Sequence, residues 1–237
     1  MKFQLFVIGA GGTGSYFLKE ISRFLCGNDR FIDSCHIFDG DIVEEKNLTR
    51  QSFMKEDIGR NKASVMAEIL NDSFSLDWAA HDVYVTSHEE LKKLIKTGSK
   101  SSPILPVIIS CVDNHACRLE LEKLFDELPN IAYFDSGNEY TTGEVVYSYK
   151  MGGNVIGPVR SHYFPEMKEG DLRGRTELSC EELNTVSPQH IFTNMFAGNL
   201  LCSGFSNLMD EKVHPGVTFF NAASLEASFR PYVAEKG

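Results

Sequence analysis

No two of the six cysteines in this 237-residue sequence stand in a C-x-x-C arrangement, the spacing of zinc ribbons and thioredoxin-like redox pairs. The sequence therefore predicts no zinc site, and the default for its cysteines is a buried, reduced thiol. It also lacks an apolar run of the roughly 20 residues that a membrane-spanning helix needs. Its first residues, MKFQLFVIGAGG, lead directly into a strand pattern and do not resemble a signal peptide. We therefore expect a cytoplasmic protein without a membrane partner.

Positive charge is also scarce. The 23 lysines and arginines are outnumbered by 33 aspartates and glutamates, which gives a formal net charge of -10. A surface of that sign repels phosphate backbones, so we expect no nucleic-acid partner. The length suits one large α/β domain with a full core better than two domains.

The spacing of apolar residues predicts alternating strands and helices. This alternation indicates an α/β fold with a Rossmann-like, mostly parallel sheet, helices on both faces, and ligands at the carboxyl ends of the strands. The segments predicted as strands are 3–8, 35–39, 82–86, 104–113, 131–135 and 144–150, and those predicted as helices are 15–25, 62–70, 87–96 and 114–125.

The chain divides into three predicted regions. Residues 1–150 are expected to form a nucleotide-binding, Rossmann-like core, within which 98–103 is a surface loop. Residues 151–185 show little periodicity and are expected to form a crossing loop or lid. Residues 186–237 are expected to complete the same domain with a helix from Ser187, which has Pro188 in its first turn, and with closing strands.

Four short segments at predicted strand ends carry the residues that suggest a function. In FVIGAGGTGS, residues 6–15, three glycines fit a dinucleotide fingerprint, and the following helix N-terminus favours a phosphate. That segment alone favours NAD or FAD over ATP. The other three segments are FDGDIVEEKNLTRQ at 38–51, DIGRNKA at 57–63 and SCVDNHACR at 110–118.

In this order, the four segments resemble the ThiF/MoeB/HesA superfamily, the adenylating enzymes related to ubiquitin activation. The resemblance covers roughly residues 5 to 118. After residue 150 it is limited to SCEEL followed by a long helix, which is similar to ThiF-like proteins of plasmid and mobile-element cassettes.

The resemblance implies a homodimeric enzyme that uses MgATP to adenylate a carboxylate and releases pyrophosphate. Its substrate would be the C-terminal glycine of a ubiquitin-like or sulfur-carrier-like protein. Arg50 and Lys62 would stabilise phosphate charge, and Asp113 would hold Mg²⁺. Asp39 would accept hydrogen bonds from the ribose hydroxyls. The residues expected to bind the cofactor are Gly9, Gly11, Gly12, Gly14, Asp39, Asp41, Asn47, Gln51 and Asn114.

Each of these signals also has an ordinary structural interpretation. Asn47 could close a turn, the Asp113–Asn114 pair could cap a helix, and Arg50 and Lys62 could be solvated surface charges. Three other functions stay open: adenylation of a small molecule or a modified RNA base, although the net charge argues against RNA; an ATP-binding interaction module without turnover; and an NAD-dependent oxidoreductase. An oxidoreductase would use the glycines and Asp39 but would not need the other polar residues together.

Cys180 is a candidate for a covalent sulfur link to the partner, as some members of the superfamily form in the loop after the nucleotide fold. It lies in a polar context, and Arg173 and Arg175 are the cations near it in the sequence. Because a thiol needs a lowered pKa to react, an inert Cys180 is the alternative.

Overall fold

A computed structural model of the chain describes residues 1–169 and 190–234. The described residues form ten strands, six α-helices and several 3₁₀ turns. The strands are β1 (Lys2–Ile8), β2 (Ile32–Phe38), β3 (Trp78–His81), β4 (Gly98–Ser99), β5 (Ser102–Ser110), β6 (Ile131–Asn138), β7 (Thr142–Met151), β8 (Asn154–Gly157), β9 (Gly216–Asn221) and β10 (Glu226–Pro231). The helices are α1 (Gly12–Leu25), α2 (Lys62–Phe74), α3 (His88–Lys92), α4 (His115–Glu127), α5 (Arg160–Tyr163) and α6 (Ile191–Met209).

One sheet connects these strands in the order β10-β9-β7-β6-β5-β1-β2-β3, with β4 beside β5 and β8 beside β7. The five strands from β6 to β3 are parallel, and β7, β9 and β10 continue the sheet in antiparallel pairing. The α/β class predicted from the sequence is confirmed. The chain winds away from β1 in both directions, so the switch point of the topology lies between β1 and β5, where open α/β sheets bind ligands.

The central strands are buried on both faces, which explains why β1 is an almost continuous apolar run. Leu5 and Val7 pack on one side with residues of α1, α2 and α6, whereas Phe6 and Ile8 pack on the other side with residues of α3 and α4. Helices therefore cover both faces, as predicted. None of the helices in ranges 1–169 and 190–234 is long and apolar enough to cross a bilayer.

The third strand was predicted at 82–86, and this prediction is wrong: the strand is Trp78–His81. The segment DVYVT has strand-forming residues, but tertiary hydrogen bonds place the earlier segment beside β2. The indole N–H of buried Trp78 donates to the Ser22 hydroxyl at 3.0 Å, and the Asn71 side chain bonds the backbone N–H and carbonyl of Trp78. Residues 82–86 therefore lie outside the sheet and enter the functional site.

Smaller differences concern the ends of elements. Helix α1 begins at Gly12, within the glycine turn, and not at Ser15. The loop predicted at 98–103 contains the short strand β4, and the region from residue 151 contains β8 and α5. The closing strands are present as the β9–β10 hairpin. Ser187 and Pro188 lie outside the described residues, and the division of the chain at residues 150 and 186 stays a prediction.

Two histidines on the α3–α4 side of the sheet have opposite pKa shifts. His36 stacks on Phe6 with ring centroids 4.9 Å apart, and burial together with the nearby His81 ring lowers the pKa of His36 to about 4. His88 lies between Glu120 and Glu127, at 2.9 and 3.2 Å, and these hydrogen bonds raise its pKa.

These shifts predict two opposite contributions to stability. An unfolded His36 takes up a proton near pH 6.5, so its contribution is complete above that pH and is lost as the pH falls towards 4. His88 stabilises the fold at low pH, and that contribution is lost as the pH rises through its raised pKa. Because His36 is only partly buried and solvent screens its charge, we expect it to contribute on the order of 1 kcal/mol.

Urea unfolding between pH 4 and 8 tests both signs. We expect His36→Phe to flatten the decline on the acid side and His88→Gln to flatten the decline on the alkaline side, each relative to the unmodified chain. An acid-side slope that is the same with and without His36 would contradict the first assignment.

Candidate functional site

A cavity of about 1160 Å³ opens above the carboxyl ends of the parallel strands. Its walls come from the glycine turn after β1, the segment after β2, the start of α2, the segment after β3, and the ends of β5 and β6. All four segments singled out in the sequence therefore meet in one cavity, and the segment at 82–86 joins them.

The glycines of the turn have different roles. Gly9 has a φ of +92°, and a Cβ on it would lie 2.9 Å from the Cys111 carbonyl oxygen. A Cβ on Gly14 would lie 1.9 Å from the Gly9 oxygen. The fold therefore requires glycine at both position 9 and position 14. At Gly11, the nearest atom to such a Cβ is the Gln51 Nε2, at 3.7 Å, which is ordinary contact. Neighbouring atoms leave room for a side chain at position 11, and its absence leaves open space inside the cavity.

Gly12 lines the cavity as the first residue of α1. The N-terminus of this 14-residue helix therefore faces the cavity with unpaired backbone N–H groups and the positive end of the helix dipole. Gln51 lies across from this turn, and its Oε1 is buried without a hydrogen-bond partner among residues 1–169 and 190–234. A buried polar atom of this kind costs free energy unless a ligand or water binds it.

Asp39 connects the glycine turn to the segment after β2. Its carboxylate accepts hydrogen bonds from the backbone N–H of Ala10 at 2.7 Å and of Asp41 at 2.8 Å. Burial raises the pKa of Asp39, although the Lys62 charge acts in the opposite direction. The side chain lines the cavity, so it can accept further hydrogen bonds there while it holds the turn.

Lys62 is the first residue of α2, and only 5% of its surface is exposed. Its ammonium lies 2.9 Å from Asp41 Oδ2. The hydroxyl of Tyr84 donates to Asp41 Oδ1. Asn61 caps α2 by accepting from the Ser64 N–H, and its amide donates to the carbonyls of Asp39 and Asp41 at 2.8 and 3.1 Å. Lys62 is thus a buried, paired cation and not a solvated surface charge.

Asn47 closes a turn, which is one of the two roles considered from the sequence. Its Oδ1 accepts from the Glu44 N–H at 2.8 Å, and the side chain is buried. Arg50 follows this turn, lines the cavity, and forms no ion pair with any residue that the structure describes. It is therefore positioned to meet a negative charge inside the cavity.

Asp113 and Asn114, which follow β5, have different roles. Asn114 caps α4, because its side chain accepts from the Cys117 N–H at 2.8 Å. Asp113 is exposed and lines the cavity. A single carboxylate at this position fits Mg²⁺, which proteins usually bind through one or two carboxylates together with substrate phosphates.

Sequence reasoning missed a buried charge cluster centred on Asp135 of β6. Asp135 lies between two guanidinium groups, with Arg118 Nε at 3.2 Å and Arg160 Nη1 at 3.3 Å. Arg160 also pairs with Glu144, directly over Gly137, where a Cβ would lie 2.3 Å from Arg160 Nη2. Arg118 belongs to the D-N-x-x-x-R pattern, whereas no sequence signal marks Arg160, which lies in a segment predicted as a loop.

Burial disfavours the thiolate form of four of the five cysteines that the structure describes, whereas Cys26 is exposed. Cys111 borders the cavity beside Gly9, and burial raises its pKa well above the usual range. Burial raises the pKa values of Cys35, Cys117 and Cys202 to about 12. Cys180, the candidate for a covalent link, lies outside the described residues.

Sequence comparison shows similarity to one family. The sequence model of the ThiF family matches residues 1–228. Ubiquitin-like modifier-activating enzyme 5 of Bombyx mori is 31% identical over 137 residues, which are 55% of this chain and 33% of that protein. The enzyme of the same name from Aedes aegypti is 31% identical over 137 residues, 55% of this chain and 32% of that protein. The chain spans about a third of the length of these curated relatives.

Two solved structures show the same fold. MccB of E. coli, crystallised with AMPCPP and selenomethionine MccA, matches 96% of this chain and 63% of its own chain, with a TM-score of 0.66 and 16% identity. PaaA matches 96% of this chain and 72% of its own chain, with a TM-score of 0.66 and 11% identity. At these identities the likeness concerns the fold alone.

Proposed function

This chain belongs to the ThiF family, and we propose that it binds MgATP and adenylates a carboxylate. The observation that carries the proposal is the missing side chain at Gly11. Packing does not require glycine there, so the space beside the N-terminus of α1 is available to a phosphate group. The side-chain amide of Gln51 lies across this space, with Nε2 3.7 Å from the place of a Cβ on Gly11, and its N–H groups can donate to a phosphate oxygen.

The other residues of the cavity fit the parts of ATP. Asp39 accepts from the ribose hydroxyls, next to an apolar wall from Phe38 and Val83 that suits the adenine. Lys62 and Arg50 bring positive charge to the phosphates. Asp113 would hold the Mg²⁺, which would neutralise charge on the phosphate oxygens.

In the proposed reaction, a carboxylate oxygen of the substrate attacks the α-phosphorus of ATP. A new P–O bond forms, the bond to the bridging oxygen breaks, and pyrophosphate leaves with the electron pair. The carboxylate is already an anion at neutral pH, so the chain does not need a general base. It needs fixed cations where charge collects on the leaving pyrophosphate, and Arg50 and Lys62 provide them.

We propose that the substrate carboxylate is the C-terminal glycine of a ubiquitin-like or sulfur-carrier-like protein. Support comes from the names of the curated relatives and from the part of the cavity at the end of β6, beyond the segments assigned to ATP. The bordering side chains include Asn138 and Glu144, which are partly exposed and offer polar contacts to an extended peptide. We also expect a cytoplasmic homodimer, as the family resemblance implies.

The decisive assay is exchange of labelled pyrophosphate into ATP, with candidate partners chosen as small proteins that end in glycine. We expect exchange that depends on Mg²⁺ and on the terminal glycine, and we expect Asp113→Ala to lower it by at least about a hundredfold. Asp72→Ala, at an exposed position on α2, is the matched control and should leave exchange unchanged.

Two results would reject the proposal. Tight MgATP binding without exchange for every partner would favour an interaction module without turnover. Saturable NAD binding that is indifferent to Mg²⁺, measured by calorimetry, would favour an oxidoreductase.

A further inference from the structure

The cation at the start of α2 is part of a three-residue chain of contacts. The Lys62 ammonium contacts one oxygen of Asp41 at 2.9 Å, and the Tyr84 hydroxyl donates to the other oxygen. Lys62 is buried, whereas Asp41 and Tyr84 are partly exposed and line the cavity. A buried ion pair is stable only when further hydrogen bonds satisfy its remaining lone pairs, and the Tyr84 hydroxyl supplies one of these bonds.

Tyr84 occupies a position that the local backbone is built to accept. A Cβ on Gly40 would lie 2.6 Å from Cδ2 of the Tyr84 ring, so the ring packs directly over the Gly40 backbone. Gly40 does not have a positive φ, so backbone conformation does not explain its lack of a side chain. The contact with Tyr84 does explain it. The ring is therefore held in place, and its hydroxyl is directed at Asp41.

The backbone of Asp41 is held by hydrogen bonds at both its N–H and its carbonyl. Its own N–H donates to Asp39, and its carbonyl accepts from the Asn61 side chain and from the Lys62 N–H. With the backbone held, the remaining freedom of Asp41 is rotation of its side chain. A hydroxyl bound to Oδ1 opposes that rotation and keeps Oδ2 towards Lys62.

We propose that Tyr84 is a positioning residue for ATP binding, which acts on the phosphates through Asp41 and Lys62 and does not contact the nucleotide's reacting atoms. This inference rests on the proposed function. By donating to Asp41, the Tyr84 hydroxyl takes up part of the carboxylate's negative charge. The ammonium of Lys62 therefore stays both in place and less completely neutralised, so it can attract a phosphate oxygen.

The test is a double-mutant cycle on MgATP affinity, measured by isothermal titration calorimetry. Tyr84→Phe keeps the ring over Gly40 and removes only the hydroxyl. We expect it to raise the Kd for MgATP about tenfold. In a Lys62→Met background, Tyr84→Phe should have almost no further effect, because the group through which it acts is gone. Tyr140→Phe, at an exposed tyrosine outside the cavity, is the matched control and should leave the Kd unchanged.

The possible results distinguish a failure of the role proposed for Tyr84 from a failure of the proposed function. Independent effects of the two substitutions would show that Tyr84 does not act through Lys62 and would overturn this inference, as would an unchanged Kd in Tyr84→Phe. Failure of the unmodified chain to bind MgATP would overturn the proposed function and this inference with it. The melting temperature of each variant, measured alongside, identifies any loss of affinity that comes from unfolding.

Discussion

Replacing Gly14 by alanine is expected to lower the free energy of unfolding by about 3 kcal/mol or more and to abolish binding of ATP. The added Cβ would lie 1.9 Å from the Gly9 carbonyl oxygen. This atom cannot easily move, because it belongs to the backbone of a residue whose N–H donates to Phe38 at 2.8 Å and which packs against Cys111. Urea unfolding and calorimetric titration with MgATP measure the two effects.

Two other glycines make the Gly14 experiment specific. Gly27 is exposed and has no positive φ, and no atom lies within 4 Å of the place that a Cβ would occupy, so Gly27→Ala should be neutral or slightly stabilising. Gly11→Ala should keep the fold but weaken MgATP binding, because its methyl group enters only the cavity. Normal stability and normal ATP binding in Gly14→Ala would contradict the role assigned to Gly14 in the turn.

Replacing Asp135 by asparagine is expected to lower the free energy of unfolding by about 3 to 5 kcal/mol. Asp135 is fully buried within β6, and its carboxylate balances the guanidinium groups of Arg118 and Arg160. The amide of asparagine has nearly the same shape but no charge. The substitution would therefore leave buried positive charge without its principal counter-ion, and Glu144 would remain as the partner of Arg160 alone.

Urea unfolding at neutral pH checks the Asp135 prediction. Asp72→Asn, on the exposed face of α2, should change the free energy of unfolding by less than about 0.5 kcal/mol. Adding Arg160→Met to Asp135→Asn should recover part of the loss, because it removes one of the unbalanced charges. A loss below about 1 kcal/mol in Asp135→Asn would mean that the cluster is not held together by this carboxylate.

The fold and the convergence of the site could be predicted from local patterns. Buried strands read as apolar runs, and the rule that parallel strands place ligands at their carboxyl ends brings segments distant in sequence into one cavity. The order of those segments along the chain was enough to place residues such as Arg50 and Lys62 at the cavity. These inferences depend on the spacing of apolar residues and on the order of strands and helices, both of which can be determined from the sequence.

The residues that the sequence did not reveal owe their positions to tertiary packing. The segment containing Tyr84 has the composition of a strand, but it lies outside the sheet, and the strand beside β2 begins instead at Trp78, which is held by Ser22 and Asn71. Arg160 lies in an irregular segment, and its importance comes from Asp135, 25 positions earlier in the sequence. No local pattern records such a contact, because its energy appears only when the two elements meet.

The hydrogen bonds of the Asn61 side chain have a consequence for the entropy of ligand binding. One amide side chain starts α2 and also fixes the backbone of Asp39 and Asp41, so the Lys62 side chain is already ordered in the described structure. A free lysine side chain loses up to about 2 kcal/mol of conformational entropy when it is immobilised. Here that loss occurs on folding. A nucleotide that binds this cavity meets a preorganised cation, and more of the attraction between charge and phosphate is available as affinity.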